Sequence, residues 1–252
     1  MTPQIRNVCR GYPGIPCLLA ITLALAAILP DRSASAEGGK HALLVGCTAY
    51  PELADRFQLA GPANDVELFR GVLEETFDFD GAHIKVLSEK EADKPTRENI
   101  VLGFKALAEA AEEGDQVVIL LAGHGSQQPA DADLDDPEPD GYDELFLPRD
   151  VEGWNGQIGA LPNAIVDDEI RDWLAAIRAK KAQVWFLADS CHSGTLVRGD
   201  TEERSRRILP EDLGVPAPAP TAGEQTRGGG GGAKIFDNLA QDDGLVAMYA
   251  AR

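Results

Sequence analysis

Short, nearly unbroken apolar runs alternate along the chain with stretches whose apolar residues recur at helical spacing. That alternation is the pattern of strands buried on both faces and of the helices that cover them. Residues 41–47 form the first run. Residues 62–77 follow as a predicted helix with Val66, Phe69, Leu73 and Phe77 on one face. Residues 83–87 predict a second strand. Residues 96–113 predict a helix entered after Pro95, with Ile100, Phe104, Leu107 and Ala111 in one stripe and Gly114-Asp115 to break it. Residues 116–122 are apolar at every position after the first, as a central parallel strand requires. An acidic loop over 127–141 and a short apolar piece at 145–147 come next. Ile170, Trp173, Leu174 and Ile177 then mark a helix over 168–179, and residues 183–188 and 244–251 predict two more strands. The expected fold is α/β, a mostly parallel central sheet with helices on both faces.

Composition adds the compartment and excludes one class of partner. With 252 residues, 44% apolar and 26% charged, the chain accommodates one domain of about 200 residues plus appendages. Its 42 acidic against 23 basic residues give a net charge of -19, which repels nucleic acid phosphates and excludes that partner. At the N-terminus, Arg6 and Arg10 precede an apolar stretch over 17–29, and Ala34-Ser35-Ala36 supplies small residues for a signal peptidase. The stretch is shorter than the roughly 20 residues that span a bilayer. Residues 1–36 therefore predict a cleaved signal peptide, export to the periplasm or medium, and a domain over 37–252 with no membrane anchor. Cleavage leaves Cys47 and Cys191, too few for a disulfide framework. Residues 195–233 contain Pro-Ala-Pro-Ala-Pro and five consecutive glycines, a composition expected to be flexible.

Candidate chemistry collects at two strand ends. His124 lies just past the strand at 116–122, and Cys191 just past the one at 183–188. Catalytic groups of parallel sheets sit at the carboxyl ends of their strands. A thiol and an imidazole brought together there form a nucleophile and its base, and the thiolate attacks a carbonyl carbon. Gly123, Gly125 and Gly194 let a peptide approach closely, and the amides of Gly125 and Cys191 are candidate oxyanion donors. His192 is a second-choice base, and Cys47 reads as a core residue.

These residues resemble the caspase-like cysteine peptidases, and within them the metacaspases and their prokaryotic relatives. The matching stretches are Ala42-Leu-Leu-Val-Gly46 with Ala49-Tyr50, Leu59-Ala-Gly-Pro-Ala-Asn-Asp65, Leu121-Ala-Gly-His-Gly-Ser-Gln127, Asp140-Gly-Tyr-Asp-Glu144 with Pro148 and Asp150, Ile165-Val-Asp-Asp-Glu-Ile170 and Asp189-Ser-Cys-His-Ser-Gly194. The resemblance implies a three-layer caspase-like sandwich and a Cys191–His124 dyad that needs no organic cofactor. It also implies an acidic pocket of Asp65 and Asp189 that takes Arg or Lys before the cut bond. It implies a calcium site at Asp143, Asp167 and Asp168, whose further ligand position falls on Arg198, with Asp200 two places on. Protein substrates, a monomeric state and self-cleavage at Arg198, Arg204, Arg206, Arg207 or Arg227 complete the expectation.

The alternative is a catalytically weak module that binds basic peptides in the Asp-lined groove, or a partner at an open sheet edge. It draws on the end of the chain at Arg252, where the related fold continues with another strand and pocket-walling loops. Legumain- and gingipain-like peptidases share the His-Gly and Cys pattern, but Asn64-Asp65 and the Asp-Ser-Cys-His-Ser-Gly run favour the metacaspases.

Overall fold

The computed structural model describes residues 38–130, 141–190, 206–216 and 244–249. Its elements in chain order are β1 (Lys40–Gly46), α1 (Pro62–Thr76), β2 (Ile84–Ser88), α2 (Arg97–Ala110), β3 (Gln116–Ala122), β4 (His124–Pro129), β5 (Tyr142–Leu147), β6 (Ile165–Val166), α3 (Asp167–Arg178), β7 (Gln183–Asp189) and β8 (Leu245–Tyr249). Five strands form one parallel sheet in the order β2-β1-β3-β7-β8.

The unbroken apolar runs divide between two faces because successive side chains of a strand point oppositely. Leu43, Val45, Val117, Ile119 and Leu121 enter one core with Ile100, Phe104 and Leu107 of α2 and Ile170, Leu174 and Ile177 of α3. Ala42, Leu44, Val118 and Leu120 enter the other with Val66 and Leu73 of α1. Helices therefore lie on both faces of a mostly parallel sheet, the architecture expected from the sequence. The helix ends also follow local chemistry. Thr96 caps α2 by accepting from Asn99 N–H, Pro62 opens α1, and Asp167, Asp168 and Glu169 place negative charge in the first turn of α3.

Two expectations need correction. The segment from His124 onward, read as leading into an acidic loop over 127–141, is strand β4 as far as Pro129, antiparallel to β5 and leading to β6 in a second, three-stranded sheet. His-Gly-Ser-Gln-Gln-Pro carries no apolar signal, yet His124, Ser126 and Gln128 are buried, each with a polar atom bonded to neighbouring backbone. The second correction concerns 195–233. Residues 206–216 within it are packed, and Ile208, Leu213 and Val215 are at most 5% exposed in the main core. These three apolar anchors suffice to dock a short strap even where the surrounding composition is poor in them.

Residues 1–37, the acidic run 131–140, Cys191, His192, Arg198, Arg204 and Arg227 lie outside the described residues. No helix among the described residues is long and apolar enough to cross a membrane.

Candidate active site

β3 and β7 are neighbours, and their carboxyl ends are in register: Ala122 pairs with Asp189. Gly123 N–H continues the ladder to Asp189 O at 3.3 Å. His124 is thus two residues beyond one member of that pair, and Cys191 is two residues beyond the other. Gly123 is required here, since a Cβ at this position would sit 2.9 Å from Tyr50 Oη and 3.1 Å from Cys47 Cβ.

His124 is 2% exposed and held from three sides. Its backbone N–H donates to Tyr50 Oη at 2.8 Å, and the two rings are tilted at 4.9 Å. Phe57 packs edge-on against the imidazole. Nε2 lies 2.7 Å from Phe57 O. A carbonyl oxygen only accepts, so this contact places the ring proton on Nε2 and leaves the lone pair on Nδ1. Nδ1 is buried with no hydrogen-bond partner of good geometry among the described residues. An imidazole in that tautomer can take up a proton on Nδ1.

The Phe57 carbonyl is itself fixed by the short 3-10 turn Asp55–Phe57 and by Gln58. Gln58 Oε1 accepts from Tyr50 N–H at 2.8 Å, and its Nε2 donates to Tyr50 O at 2.9 Å. Tyr50, Phe57 and Gln58 are positioning residues that the sequence reading did not single out. Ala49-Tyr50 was among the matching stretches, but a backbone carbonyl leaves no mark in residue type. Burial, above all, pushes the Tyr50 hydroxyl well above its ordinary range, so it stays protonated, and its oxygen remains available to the His124 amide. Burial likewise pushes the Cys47 thiol up, with Glu89 adding to the effect, so Cys47 is an inert core residue.

Burial also lowers His124 from its ordinary value of 6.5; the carbonyls of Arg206 and Phe57 partly oppose this and the Arg206 guanidinium reinforces it. A folded-state value below the unfolded one means that the unfolded chain binds more protons as pH falls. Stability from the neutral ring is then complete above about 6.5 and is lost as pH drops through the lower folded value. The urea midpoint of the wild type is expected to fall between pH 7.5 and pH 5.5 by more than that of His124→Gln. Equal falls in the two proteins would contradict a neutral buried ring.

Asp65, in the first turn of α1, and Asp189, at the end of β7, meet on a single guanidinium. Arg206 Nη2 donates to Asp65 Oδ2 at 2.6 Å, while Nη1 donates to Asp189 Oδ2 and, at 3.0 Å, to Asp189 O. The backbone of the same residue lies against β4. Gly125 N–H, the expected oxyanion donor, donates to Arg206 O at 2.9 Å. An arginine therefore has its side chain between both predicted pocket carboxylates and its carbonyl on the predicted oxyanion donor, beside His124.

The three carboxylates assigned to calcium fare differently. Asp143 and Asp167 are buried, and Asp168 Oδ1 takes Arg171 Nη1 at 2.7 Å. Among the described residues no three His, Cys, Asp or Glu side chains are grouped so as to hold a metal ion. A cation at Asp168 would have to displace that guanidinium from one of the carboxylate oxygens.

Comparison with known proteins places residues 40–199 on the model of the metacaspase peptidase C14 domain. Metacaspase-6 of Arabidopsis thaliana is 34% identical over 160 residues, covering 63% of this chain and 39% of that protein. Metacaspase-1 of Pyricularia oryzae is 33% identical over 161 residues, covering 63% and 37%. The match spans well under half the length of these curated relatives. A solved structure of a Geobacter sulfurreducens protein aligns with 70% of this chain and 60% of its own at 25% identity, with a TM-score of 0.49. The strap at 206–216 lies beyond the residues matched by the family model.

Proposed function

Because this chain belongs to the metacaspase family of C14 peptidases, we propose that it is an exported cysteine endopeptidase that cuts after Arg or Lys and processes itself at Arg206–Arg207. One observation carries the reading: Arg206 has its guanidinium on Asp65 and Asp189 and its carbonyl on Gly125 N–H. A planar, forked cation between two carboxylates is the pairing that selects Arg, and Lys more weakly, over an acidic residue.

In this reading the Cys191 thiol gives its proton to His124 Nδ1, and the thiolate attacks the carbonyl carbon of the basic residue. The oxyanion forms against the amides of Gly125 and Cys191. His124 then returns the proton to the leaving amine as the peptide bond breaks, leaving a thioester on Cys191. Water, deprotonated by His124, hydrolyses the thioester and restores the thiol. Phe57 O supports each transfer by accepting the hydrogen bond from Nε2–H throughout, so the charged ring keeps a partner. No step passes through a metal.

Peptides bearing a reporter amine after Arg, Lys or Asp, with wild type and Cys191→Ala, test this reading. Arg and Lys peptides are expected to be cut and the Asp peptide not, with all cleavage lost in Cys191→Ala. Asp65→Asn and Asp189→Asn are each expected to lower kcat/KM on the Arg peptide by about 10- to 100-fold, a partly exposed charge pair being discounted for solvent. Cleavage that survives in Cys191→Ala, or that prefers Asp, overturns the assignment. Calcium and chelator arms of the same assay test the ion, and stimulation would restore it to the acidic residues.

A further inference from the structure

The strap continues past Arg206 along the edge of β4. Arg207 and Gly125 form a parallel bridge, in which Ile208 N–H donates to Gly125 O at 3.0 Å. Ser126 Oγ donates to Ile208 O at 2.9 Å. The Ile208 side chain is 1% exposed, in the main core. Arg207 Nη2 donates to Gln127 Oε1 at 3.3 Å, and Gln127 Nε2 in turn reaches Glu144 Oε1 at 3.5 Å.

In a chain cut after Arg206, Arg207 and Ile208 are the first and second residues of the leaving side. We infer that the edge of β4 is a binding surface for the leaving side of substrates, which accepts a basic residue in the first position and a branched aliphatic one in the second. The inference rests on the endopeptidase reading above and deepens it. Backbone pairing to Gly125 and the Ser126 hydroxyl would align any sequence, as in strand addition to a sheet edge. Selectivity comes from the side chains. The second position is a closed apolar site, where a carboxylate would be desolvated without a partner. The first faces an amide oxygen backed by the buried Glu144, which favours a cation and opposes an anion. The substrate class is therefore protein segments with two basic residues followed by Ile or Val, cut between the basic pair.

Internally quenched peptides with Arg before the cut, varied at the next two positions, test this with the full chain after it has cut itself at Arg206, when the new end at Arg207 can give up the edge of β4 to a substrate. Relative to Arg-Ile after the cut, alanine at the second position is expected to lower kcat/KM about 10-fold and aspartate about 100-fold, the scale of losing one buried aliphatic side chain. Aspartate at the first position is expected to cost about 10-fold, and Gln127→Lys to reverse that preference. A flat profile across both positions, with the short Arg reporter peptide still cut, overturns this inference alone. Failure to cut the short Arg peptide as well sinks the endopeptidase reading beneath it.

Discussion

His124→Ala is expected to lower kcat/KM on Arg peptides by about a thousandfold, within the range that a single positioned proton-transfer group supplies. The argument runs through the tautomer. Phe57 O at 2.7 Å holds the proton on Nε2, so the only lone pair of the ring is on Nδ1. Removing the ring leaves the thiol to ionise without a base beside it. The ring also fills space between Tyr50 and Phe57, so a loss of activity has to be separated from a loss of fold. Alkylation of Cys191 by iodoacetamide, located by peptide mapping, separates them. The variant should react much more slowly than wild type at pH 7 and at a similar rate at pH 9.5. Equal rates at pH 7 would mean that His124 does not act on the thiol.

Arg206→Ala is expected to abolish cutting at 206–207 and yet raise activity on short Arg peptides at low substrate concentration, by about 10- to 100-fold. The reason is competition. Arg206 belongs to the same chain as the pocket it fills, so its effective concentration is on the order of millimolar, and an uncut strap excludes free peptide. Alanine withdraws the guanidinium from Asp65 and Asp189, while Ile208, Leu213 and Val215 still anchor the strap. The two carboxylates are then open to the Arg of a peptide without any chain cleavage, and only the backbone of residue 206 has to move off Gly125 N–H when the peptide binds. Assaying freshly purified wild type and Arg206→Ala side by side checks this, and a variant no faster than uncut wild type would show that Arg206 does not block the site.

The sheet and its helices were legible because their apolar residues are continuous or periodic. Residues 116–122 had to be a central strand, and the stripe Ile100, Phe104, Leu107 had to face a core. Where polar atoms do the packing, the pattern is silent. β4 is buried with His, Ser and Gln pointing inward, and only its neighbours, Phe57 O, Ile208 O and Leu161 N–H, explain how those side chains are satisfied. The histidine itself was found from its place at a strand end. What orients it was not, because the decisive group is a main-chain carbonyl reached through Gln58. Asp65 and Asp189, named from the resemblance, are brought together in the structure. Among the described residues Asp143, Asp167 and Asp168 form no group that could hold a metal ion, and Arg171 Nη1 lies on Asp168 Oδ1, a side-chain arrangement that residue type alone does not reveal. Arg206 was one of five arginines in a segment read by its glycines and prolines. Ile208, Leu213 and Val215 tie this one down, a long-range effect that composition averages away.

Intact-mass measurement of the purified chain, with Cys191→Ala beside it and the new termini sequenced, tests the central claim most directly. An Arg-specific cysteine endopeptidase with Arg206 in its own pocket cuts itself between Arg206 and Arg207, and the Cys191→Ala chain stays whole. An active wild type that remains uncut there, or the same cut in Cys191→Ala, would contradict it.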